Sequence, residues 1–447
     1  MLTILTLLFW LAVACGALAL LGFVAGRLLS VERQPDAVHF AQTEDGWRLG
    51  LARYRPQRPI GGAPPVVLCP GFALSAAIYD LFPETSLARY LASFGYDVWL
   101  LDLRGRGYSE RPRFGGRRRY TWAFDDYVEL DLPAAIDAIC RETGARAVQW
   151  IGLDLGALVP LAALTRGGAA RVASLAALAA PAIFRRQAAL LPRWVLRALR
   201  LVRIEAALRL AAPLLGRLFP PPLSLWQNRD NIDSPAYRRL LINACCSFSR
   251  RELAQYREWL AGDLFQALDG ARDYRKGLSS LALPCLLLYG PRDPLAPPEA
   301  MEATADALPG VEDKVVVVAS RMHGMSANYG HLDLLAARTA PRDIYPHLLK
   351  WLDLHAGVPV PAGRPEPGHA THGDELEAWH KVTPRAPAPA PQEAPPSASS
   401  ASADALAPSA AATATDPRPA AATSDENADE DAPDDIEWTD GDARVPK

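Results

Sequence analysis

The stretch Val148-Gln-Trp-Ile-Gly152-Leu-Asp154-Leu-Gly156-Ala-Leu-Val159 decides the fold of this chain. It consists of an apolar run, the pattern Gly-x-Asp-x-Gly, and a second apolar run. Flanking glycines permit a sharp turn from a strand into a helix, which lifts the central side chain above a sheet and beside the helix N-terminus. That position normally holds a nucleophile, most often serine, and here it holds Asp154.

Short apolar runs bounded by glycine and proline recur on both sides of this turn and alternate with helical patterns. The runs predicted as strands are Pro65 to Cys69, Asp97 to Leu103, Ala147 to Ile151, Val172 to Leu178, Cys285 to Tyr289 and Lys314 to Val318. Continuous apolar strands are typical of a sheet that is buried on both faces, and their alternation with helices indicates crossover connections. The sequence therefore predicts an α/β fold, a mostly parallel sheet with helices on both faces.

Two later motifs complete a possible catalytic set. Leu283-Pro-Cys-Leu-Leu-Leu-Tyr-Gly290-Pro-Arg-Asp293 predicts a buried strand followed by a turn that presents an acid, and Asn328-Tyr-Gly-His331 places a histidine in a loop before the last helices. Each motif alone is ambiguous, because an aspartate at a strand end is usually a helix cap and a lone histidine usually bonds locally. Their chain order and context together predict Asp154, Asp293 and His331 as catalytic residues.

Over about Gly46 to Leu354 the chain resembles the acid-lipase branch of the α/β-hydrolases. The resemblance rests on Tyr120 to Asp137, on Asp97-Val-Trp-Leu with Arg104-Gly105, and on Tyr329-Gly-His331-Leu-Asp followed by Ala340-Pro-Arg-Asp-Ile-Tyr. It implies the α/β-hydrolase fold, Asp293 as the acid, His331 as the base, and the backbone N–H groups of Phe72 and Leu155 as the oxyanion hole.

The chain departs from that branch at two positions. Family members usually have His-Gly where this chain has Pro70-Gly71, and His-Ser where it has Leu153-Asp154. A carboxylate that attacks an ester carbonyl would form a mixed anhydride, in which the carboxylate leaves more easily than the alkoxide. Ordinary lipase chemistry is therefore disfavoured at this turn.

A carboxylate can instead displace a leaving group at saturated carbon. The Gly-x-Asp turn resembles that of the epoxide hydrolases and haloalkane dehalogenases, although those families usually have Trp where this chain has Leu155. In that chemistry His331, oriented by Asp293, would activate water to cleave the enzyme ester. Epoxide opening also needs an acid on the leaving oxygen, and the candidates are Tyr237, Tyr256 and Tyr274.

Three functions thus remain open at this point. The favoured one is a hydrolase for an apolar or lipid-like substrate with Asp154 as nucleophile. The second is a catalytically degenerate lipase-like protein that acts by binding, with Asp154 held in an ion pair by His331. The third is a carboxylic ester hydrolase or lipase.

An N-terminal membrane anchor is predicted over residues 2–26. Leu2 to Val24 is uncharged, almost entirely apolar, and long enough to cross a hydrocarbon core of about 30 Å. A cleaved signal peptide would need basic residues near its start, and Met1 to Trp10 contains none. Arg27 and Arg33 follow the apolar run, so the positive-inside rule predicts a single-pass protein with a cytoplasmic body.

Composition divides the remaining chain. Residues 37–181 and 278–357 are predicted to form the two parts of the core, residues 182–277 a helical cap, and residues 358–447 a disordered Pro/Ala-rich acidic tail. Residues 361–447 contain six basic and seventeen acidic residues, so the overall net charge of −3 hides a basic body. After Pro192, a basic helix face suits either a lid or docking on anionic lipid; it contains Arg193, Arg197 and Arg200.

Some classes of protein are excluded by the same composition. No basic run is interleaved with aromatics in the manner of a nucleic-acid groove, so no nucleic-acid partner is expected. The six cysteines include no Cys-x-x-Cys pair and suit neither a disulfide framework nor a zinc site. We therefore expect free thiols, no metal and no cofactor, with a membrane and an apolar small molecule or lipid as partners.

Overall fold

An eight-stranded sheet is the central feature of the computed structural model, which describes residues 2–30, 32–112, 118–167, 171–185, 204–211, 228 and 230–365. The strands are β1 Ala37–Gln42, β2 Arg48–Tyr54, β3 Val66–Cys69, β4 Val98–Asp102, β5 Val148–Leu153, β6 Val172–Leu178, β7 Cys285–Tyr289 and β8 Lys314–Val318. Their order in the sheet is β1-β2-β4-β3-β5-β6-β7-β8.

Six of these strands are parallel and two are antiparallel. From β4 through β3, β5, β6 and β7 to β8, every neighbouring pair is parallel. β2 pairs antiparallel with β4, and β1 pairs antiparallel with β2. The predicted α/β class and mostly parallel sheet are confirmed, and all six predicted strands form. The two antiparallel strands at the N-terminal edge were not predicted.

Most helices lie in the connections between strands, a long one precedes β1, and the last three follow β8. Their bounds are α1 Leu2–Leu29, α2 Leu87–Ser93, α3 Phe124–Asp126, α4 Leu132–Thr143, α5 Leu155–Leu164, α6 Ile204–Ala211, α7 Ser234–Asn243, α8 Arg250–Gly262, α9 Pro298–Asp306, α10 Asp333–Ala336, α11 Ala340–Asp343 and α12 Tyr345–Leu354. Short 3-10 segments lie at 76–80, 83–85, 274–280 and 321–323, and a π-helical turn at 127–131 precedes α4. β3, β4, β5 and β7 are buried along their whole length, as their continuous apolar sequence requires.

The segment between β6 and β7, residues 179–284, is called the insertion here and contains α6, α7 and α8. It pairs with the loop that follows β3. Leu74 and Cys245 form an antiparallel bridge, the Ser75 N–H donates to the Ala244 carbonyl at 2.7 Å, and the Cys246 N–H donates to the Ala73 carbonyl at 2.8 Å. The insertion therefore packs directly on the loop that is expected to supply an oxyanion-hole donor.

Helix α1 is apolar and long enough to cross a membrane, and its most apolar window is not buried within the protein. A signal sequence near an N-terminus has the same length and composition. The helix continues to Leu29, three residues beyond the predicted end of the anchor. The side chain of Arg33 turns into the core, where it pairs with Asp102 at 2.7 Å and lies 4.1 Å from the ring centre of Tyr108. Of the two arginines behind the predicted orientation, only Arg27 is exposed.

Five of the six cysteines are buried free thiols, as predicted, whereas Cys15 is exposed on α1. Two other predictions concern residues that the structure describes only in part or not at all. The basic helix face with Arg193, Arg197 and Arg200 lies outside the described residues. Of the tail predicted over 358–447, the structure describes 358–365, in which Val358 and Val360 pack against the core and Arg364 pairs with Asp353 at 3.2 Å. The tail from residue 366 onward lies outside the described residues. The proposed limits of the cap, 182–277, and of the two core parts, 37–181 and 278–357, remain predictions.

Candidate active site

Asp154 occupies the turn between β5 and α5 in a backbone conformation that side-chain-bearing residues rarely adopt. Its φ is 48° and its ψ is −123°, which costs about 1–3 kcal/mol and persists only where the surroundings impose it. The glycines on either side allow this packing. A Cβ on Gly152 would lie 2.4 Å from the Ala157 nitrogen, and one on Gly156 would lie 2.2 Å from the Cys69 carbonyl oxygen. The Gly-x-Asp-x-Gly pattern is therefore a steric requirement of this turn.

The Asp154 side chain is 3% exposed, and each carboxylate oxygen has a protein donor. Oδ2 accepts a hydrogen bond from the Phe72 N–H at 3.1 Å, and the Leu155 N–H also bonds to the carboxylate. Oδ1 accepts a hydrogen bond from the Tyr256 hydroxyl at 3.0 Å. The two backbone groups predicted to form the oxyanion hole thus bind the carboxylate of Asp154 itself.

Asp293 and His331 form a buried pair. His331 Nδ1 lies 2.8 Å from Asp293 Oδ2, and both residues are 3% exposed. Because a carboxylate can only accept here, the imidazole must have its proton on Nδ1. Asp293 is oriented in turn by its other oxygen, which accepts hydrogen bonds from the backbone N–H groups of Leu295 at 2.8 Å and Ala296 at 3.0 Å. This arrangement leaves Nε2 of His331 for a proton transfer on the reacting side.

Asp333 holds the histidine loop against the insertion. Its Oδ2 accepts hydrogen bonds from the Gly330 N–H at 2.9 Å and from Asn231 Nδ2 at 2.6 Å, and its Oδ1 accepts one from the Asn228 N–H at 3.2 Å. It is fully buried and only two residues from His331. Asp333 belongs to the sequence motif around His331, but its positioning contacts depend on packing that the sequence does not reveal.

The charges of the site act on one another. Burial alone would lower the pKa of His331, but the charge and hydrogen bond of Asp293, followed by the charges of Asp154 and Asp333, raise it to about 9. Burial raises the pKa of Asp154. The positive charge of His331 opposes this rise most, followed by the hydrogen bonds that the Asp154 carboxylate accepts. A pKa of about 9 favours protonated His331 near neutral pH.

The structure brings the predicted residues together and separates the three candidate tyrosines. Asp154, Asp293 and His331 interact electrostatically, with Phe72 and Leu155 at the carboxylate. Tyr256, on α8, bonds to Asp154, whereas the Tyr274 hydroxyl donates to Asp125 at 2.7 Å. Tyr237 is buried on α7.

Apolar and aromatic groups surround the carboxylate. The ring of Tyr256 stacks on Phe72 at 5.0 Å with an interplanar angle of 6°, and Phe248 packs against the Phe72 ring at 4.9 Å. Phe184 lies 6.2 Å from the Tyr256 ring in an edge-on arrangement. These rings place aromatic surfaces beside Phe72 and Tyr256, which donate to Oδ2 and Oδ1.

A cavity of about 400 Å³ lies elsewhere, between α4 and the end of α5. Its charged rim is already paired, since Glu129 bonds to Arg166 and Asp137 bonds to Arg171. It contains none of the residues described above. Within the parts of the chain that the structure describes, no group of three or more His, Cys, Asp or Glu side chains is arranged to hold a metal ion.

Comparison with known proteins gives a consistent result. A family model described as "alpha/beta hydrolase fold" matches residues 64–323, more than half of the chain. A tear acid lipase-like protein of Mesocricetus auratus is 34% identical over 133 residues, which is 28% of this chain and 33% of that protein. A gastric triacylglycerol lipase of Mus musculus is 32% identical over 133 residues, or 28% and 34% of the two chains.

The matched stretch thus spans about a third of the length of these curated relatives. Among solved structures, an enol-lactonase from Burkholderia xenovorans LB400 aligns with a TM-score of 0.47 and 19% identity, covering 70% of this chain and 99% of that one.

Proposed function

The chain belongs to the α/β-hydrolase fold family, and we propose that it is a membrane-anchored hydrolase that uses Asp154 to attack saturated carbon in an apolar or lipid-like substrate. The observation that carries this proposal is the position of Asp154 Oδ2, which accepts the Phe72 N–H at 3.1 Å. In a serine hydrolase those backbone donors receive the carbonyl oxygen of the substrate. Here a side-chain oxygen of the protein occupies them, which disfavours attack on a substrate ester.

The same placement suits a two-step displacement. In the first step Oδ1 attacks a saturated carbon, the bond to the leaving group breaks, and the leaving group takes the electron pair. The product is an ester of Asp154 whose carbonyl oxygen, Oδ2, already accepts the Phe72 N–H at 3.1 Å. In the second step water attacks the Asp154 carbonyl carbon, and the Phe72 N–H stabilises the oxyanion that forms on Oδ2. The oxyanion then collapses, the bond between the carbonyl carbon and Oδ1 breaks, and Oδ1 leaves in the alcohol product, which takes the proton that His331 removed from water. The oxygen of that water remains in the carboxylate of Asp154.

His331 is poised to act in the second step. The negative charge of Asp154 helps to raise the pKa of His331 to about 9, so the imidazole is protonated before the reaction. Ester formation neutralises Asp154 and removes that contribution, so the pKa of His331 falls and the imidazole can release its proton. Neutral His331, oriented by Asp293 at 2.8 Å, then takes a proton from the attacking water.

Tyr256 is the candidate acid for an oxygen leaving group. Its hydroxyl lies 3.0 Å from Oδ1, and burial, together with the charge of Asp154, holds its pKa well above the usual value, so it remains a donor. We expect Tyr256→Phe to slow ring opening of an apolar epoxide by about 10² to 10⁴-fold. Displacement of bromide from an alkyl bromide should change much less, because bromide leaves without a proton.

The difference is measured by mass spectrometry as the rate at which the Asp154 ester forms with the epoxide and with the bromide. Tyr274→Phe is the matched control, since that hydroxyl bonds to Asp125 and not to Asp154. Equal slowing of the epoxide and the bromide would remove the acid role from Tyr256 and leave it a packing role.

A second candidate function is binding without catalysis. The observation that favours it is the closure of the site, in which Asp154 is only 3% exposed and both of its oxygens have donors. This alternative predicted an ion pair between Asp154 and His331. The two residues interact through their charges, whereas the hydrogen bonds to the Asp154 carboxylate come from Phe72, Leu155 and Tyr256. Trapping of a covalent ester separates the two functions.

The substrate class follows from the surroundings of Asp154 and from the relatives. The rings of Phe72, Phe248, Phe184 and Tyr256 favour an apolar molecule. The acid lipase-like and gastric triacylglycerol lipase relatives support a lipid-like substrate, by their names, over the third of their length that aligns. We extend that class to this chain as part of the proposal.

Membrane anchoring through α1 is the second part of the proposal, with the body in the cytoplasm. We expect the protein to stay with membranes through alkaline extraction, because α1 is uncharged from Leu2 to Val24 and is long enough to cross a bilayer. Leu8→Arg together with Leu11→Arg should release it, since charges at a helix centre oppose insertion.

The intact mass of the protein tests the signal-sequence alternative, because cleavage would remove α1. Recovery in the soluble fraction would contradict the anchor, and digestion of the acidic tail by protease added outside intact cells would contradict the orientation.

A further inference from the structure

Arg106 holds the peptide unit that supplies the Phe72 donor. This arginine follows β4, is completely buried, and donates from Nη1 to the carbonyl oxygens of Gly71 at 3.0 Å and Leu74 at 3.3 Å. The Gly71 carbonyl and the Phe72 N–H belong to the same planar peptide unit and point in opposite directions. Fixing the carbonyl therefore fixes the direction of the N–H toward Asp154 Oδ2, and the positive charge also polarises that N–H.

The other end of the guanidinium contacts the insertion. Nη2 donates to the hydroxyl of Tyr127 at 3.1 Å and forms an ion pair with Glu252 Oε1. Glu252 is 1% exposed and lies in the first turn of α8. Its Oε2 accepts hydrogen bonds from Trp122 Nε1 at 3.1 Å and from the Ser249 N–H at 3.2 Å, so the carboxylate itself is held in one orientation.

Glu252 and Tyr256 lie four residues apart and therefore on one face of α8. The Tyr256 ring stacks on Phe72, and its hydroxyl donates to Asp154 Oδ1. A closed path thus runs from Arg106 through the Gly71–Phe72 peptide to Asp154, on to Tyr256, and back along α8 to Glu252. The Phe72 N–H and the Tyr256 hydroxyl, which bind the two oxygens of the reactive carboxylate, are thus both connected to this one ion pair.

We infer that Arg106 and Glu252 are positioning residues, and that their buried ion pair sets the insertion and the Gly71–Phe72 peptide in the register that orients the Asp154 carboxylate. The consequence for reaction rests on the proposed function, because it concerns attack by Oδ1 with Oδ2 held in the oxyanion hole. If the ion pair only stabilised the fold, its replacement should have a different result. Replacing both members of a buried ion pair by apolar residues of similar size is often neutral or stabilising.

The decisive variant is therefore Arg106→Met combined with Glu252→Met, which removes both buried charges together. We expect a melting temperature close to that of the wild type, slower formation of the Asp154 ester with an alkyl bromide by about 10²-fold, and faster hydrogen exchange at the Phe72 amide. The matched control is Arg104→Met with Asp131→Leu. It removes a neighbouring pair of similar burial at 2.7 Å. Among the described residues, Arg104 bonds to Asp45, Asp126 and Asp131 and to none of residues 71–76. The control should leave both readouts unchanged.

Glu252→Gln serves if the double variant does not fold, since it keeps the shape and removes only the charge. It should move both readouts in the same direction by a smaller amount. Unchanged exchange at Phe72 overturns the inference whatever the activity, and an unchanged rate of ester formation in a folded double variant overturns it as well. Failure of the proposed function looks different, because the wild type would then form no ester while the exchange at Phe72 still responded to the loss of the pair.

Discussion

Replacing His331 by glutamine should turn a protein that releases product into one that stops at a covalent ester on Asp154. Ester formation needs only the carboxylate and the leaving group, whereas hydrolysis needs a base for water, which His331 oriented by Asp293 provides. The loss of that base should slow breakdown of the ester by about 10² to 10⁴-fold. Intact mass spectrometry after incubation with an alkyl bromide or an epoxide should then show one added group, located on the peptide that contains Asp154.

His323→Gln is the matched control for this experiment. His323 lies eight positions earlier, is exposed, and bonds through Nδ1 to the Ser320 hydroxyl at 2.7 Å. It should turn over like the wild type and accumulate nothing. If His331→Gln forms no adduct with any saturated-carbon electrophile, Asp154 is not a nucleophile and binding without catalysis becomes the better reading of the site.

The pH dependence of the same reaction follows from the raised pKa values. Attack requires ionised Asp154, and because burial raises its pKa, attack should fail on the acid side at a higher pH than for an ordinary aspartate. Breakdown of the ester requires neutral His331, so its rate should rise with pH and level off above the pKa of His331 in the ester. That value lies below the resting value of about 9, since the ester has lost the charge of Asp154. Single-turnover rates for the two steps measure both limbs.

The parts of this fold that the sequence predicts are those built from local pattern. β6 and β7 begin and end where their apolar runs do, because buried parallel strands need continuous apolar residues. β8 also matches its apolar run, but it lies at the sheet edge, where Val315 and Val316 are exposed. β1 and β2 were not predicted because neither is a continuous apolar run. β1 lies at the sheet edge and alternates between partly buried and exposed positions, so no continuous run marks it. The turn at Asp154 was recognisable because its glycines are required by contacts within and beside the motif.

The parts that the sequence did not predict depend on contacts between distant segments. Tyr256 lies 102 positions from Asp154, and Glu252 lies 146 positions from Arg106. Nothing local distinguishes Tyr256 from Tyr237 or Tyr274, since only the packing of α8 on the loop after β3 selects it. Chain order could place an acid and a base beside the turn, but it could not show that Asp154 Oδ2 accepts the Phe72 N–H, one of the predicted oxyanion donors.

Asp154→Asn and Asp154→Ser test the nucleophile itself. Asparagine keeps the shape and can still accept from the Phe72 N–H, but it lacks the attacking charge, so turnover should fall by about 10³-fold or more while the melting temperature changes little. Asp154→Ser tests whether the site can catalyse ester hydrolysis. Its shorter side chain leaves the Phe72 and Leu155 N–H groups available to a substrate carbonyl, and the loss of the Asp154 charge lowers the pKa of His331 toward that of a working base.

Asp154→Ser should therefore hydrolyse a short activated ester such as p-nitrophenyl acetate about 10²-fold faster than the wild type. Asp154→Ala is the control, because it also frees the two N–H groups but supplies no nucleophile, and it should show no gain. Adding His331→Gln to Asp154→Ser should abolish the gain. A gain under these controls shows that Asp293, His331 and the oxyanion donors form a competent site, and it leaves the natural reaction to the trapping experiment. If serine gives no gain in a folded protein, the geometry around residue 154 does not support acyl transfer, and the placement of Phe72 and Leu155 as oxyanion donors is wrong.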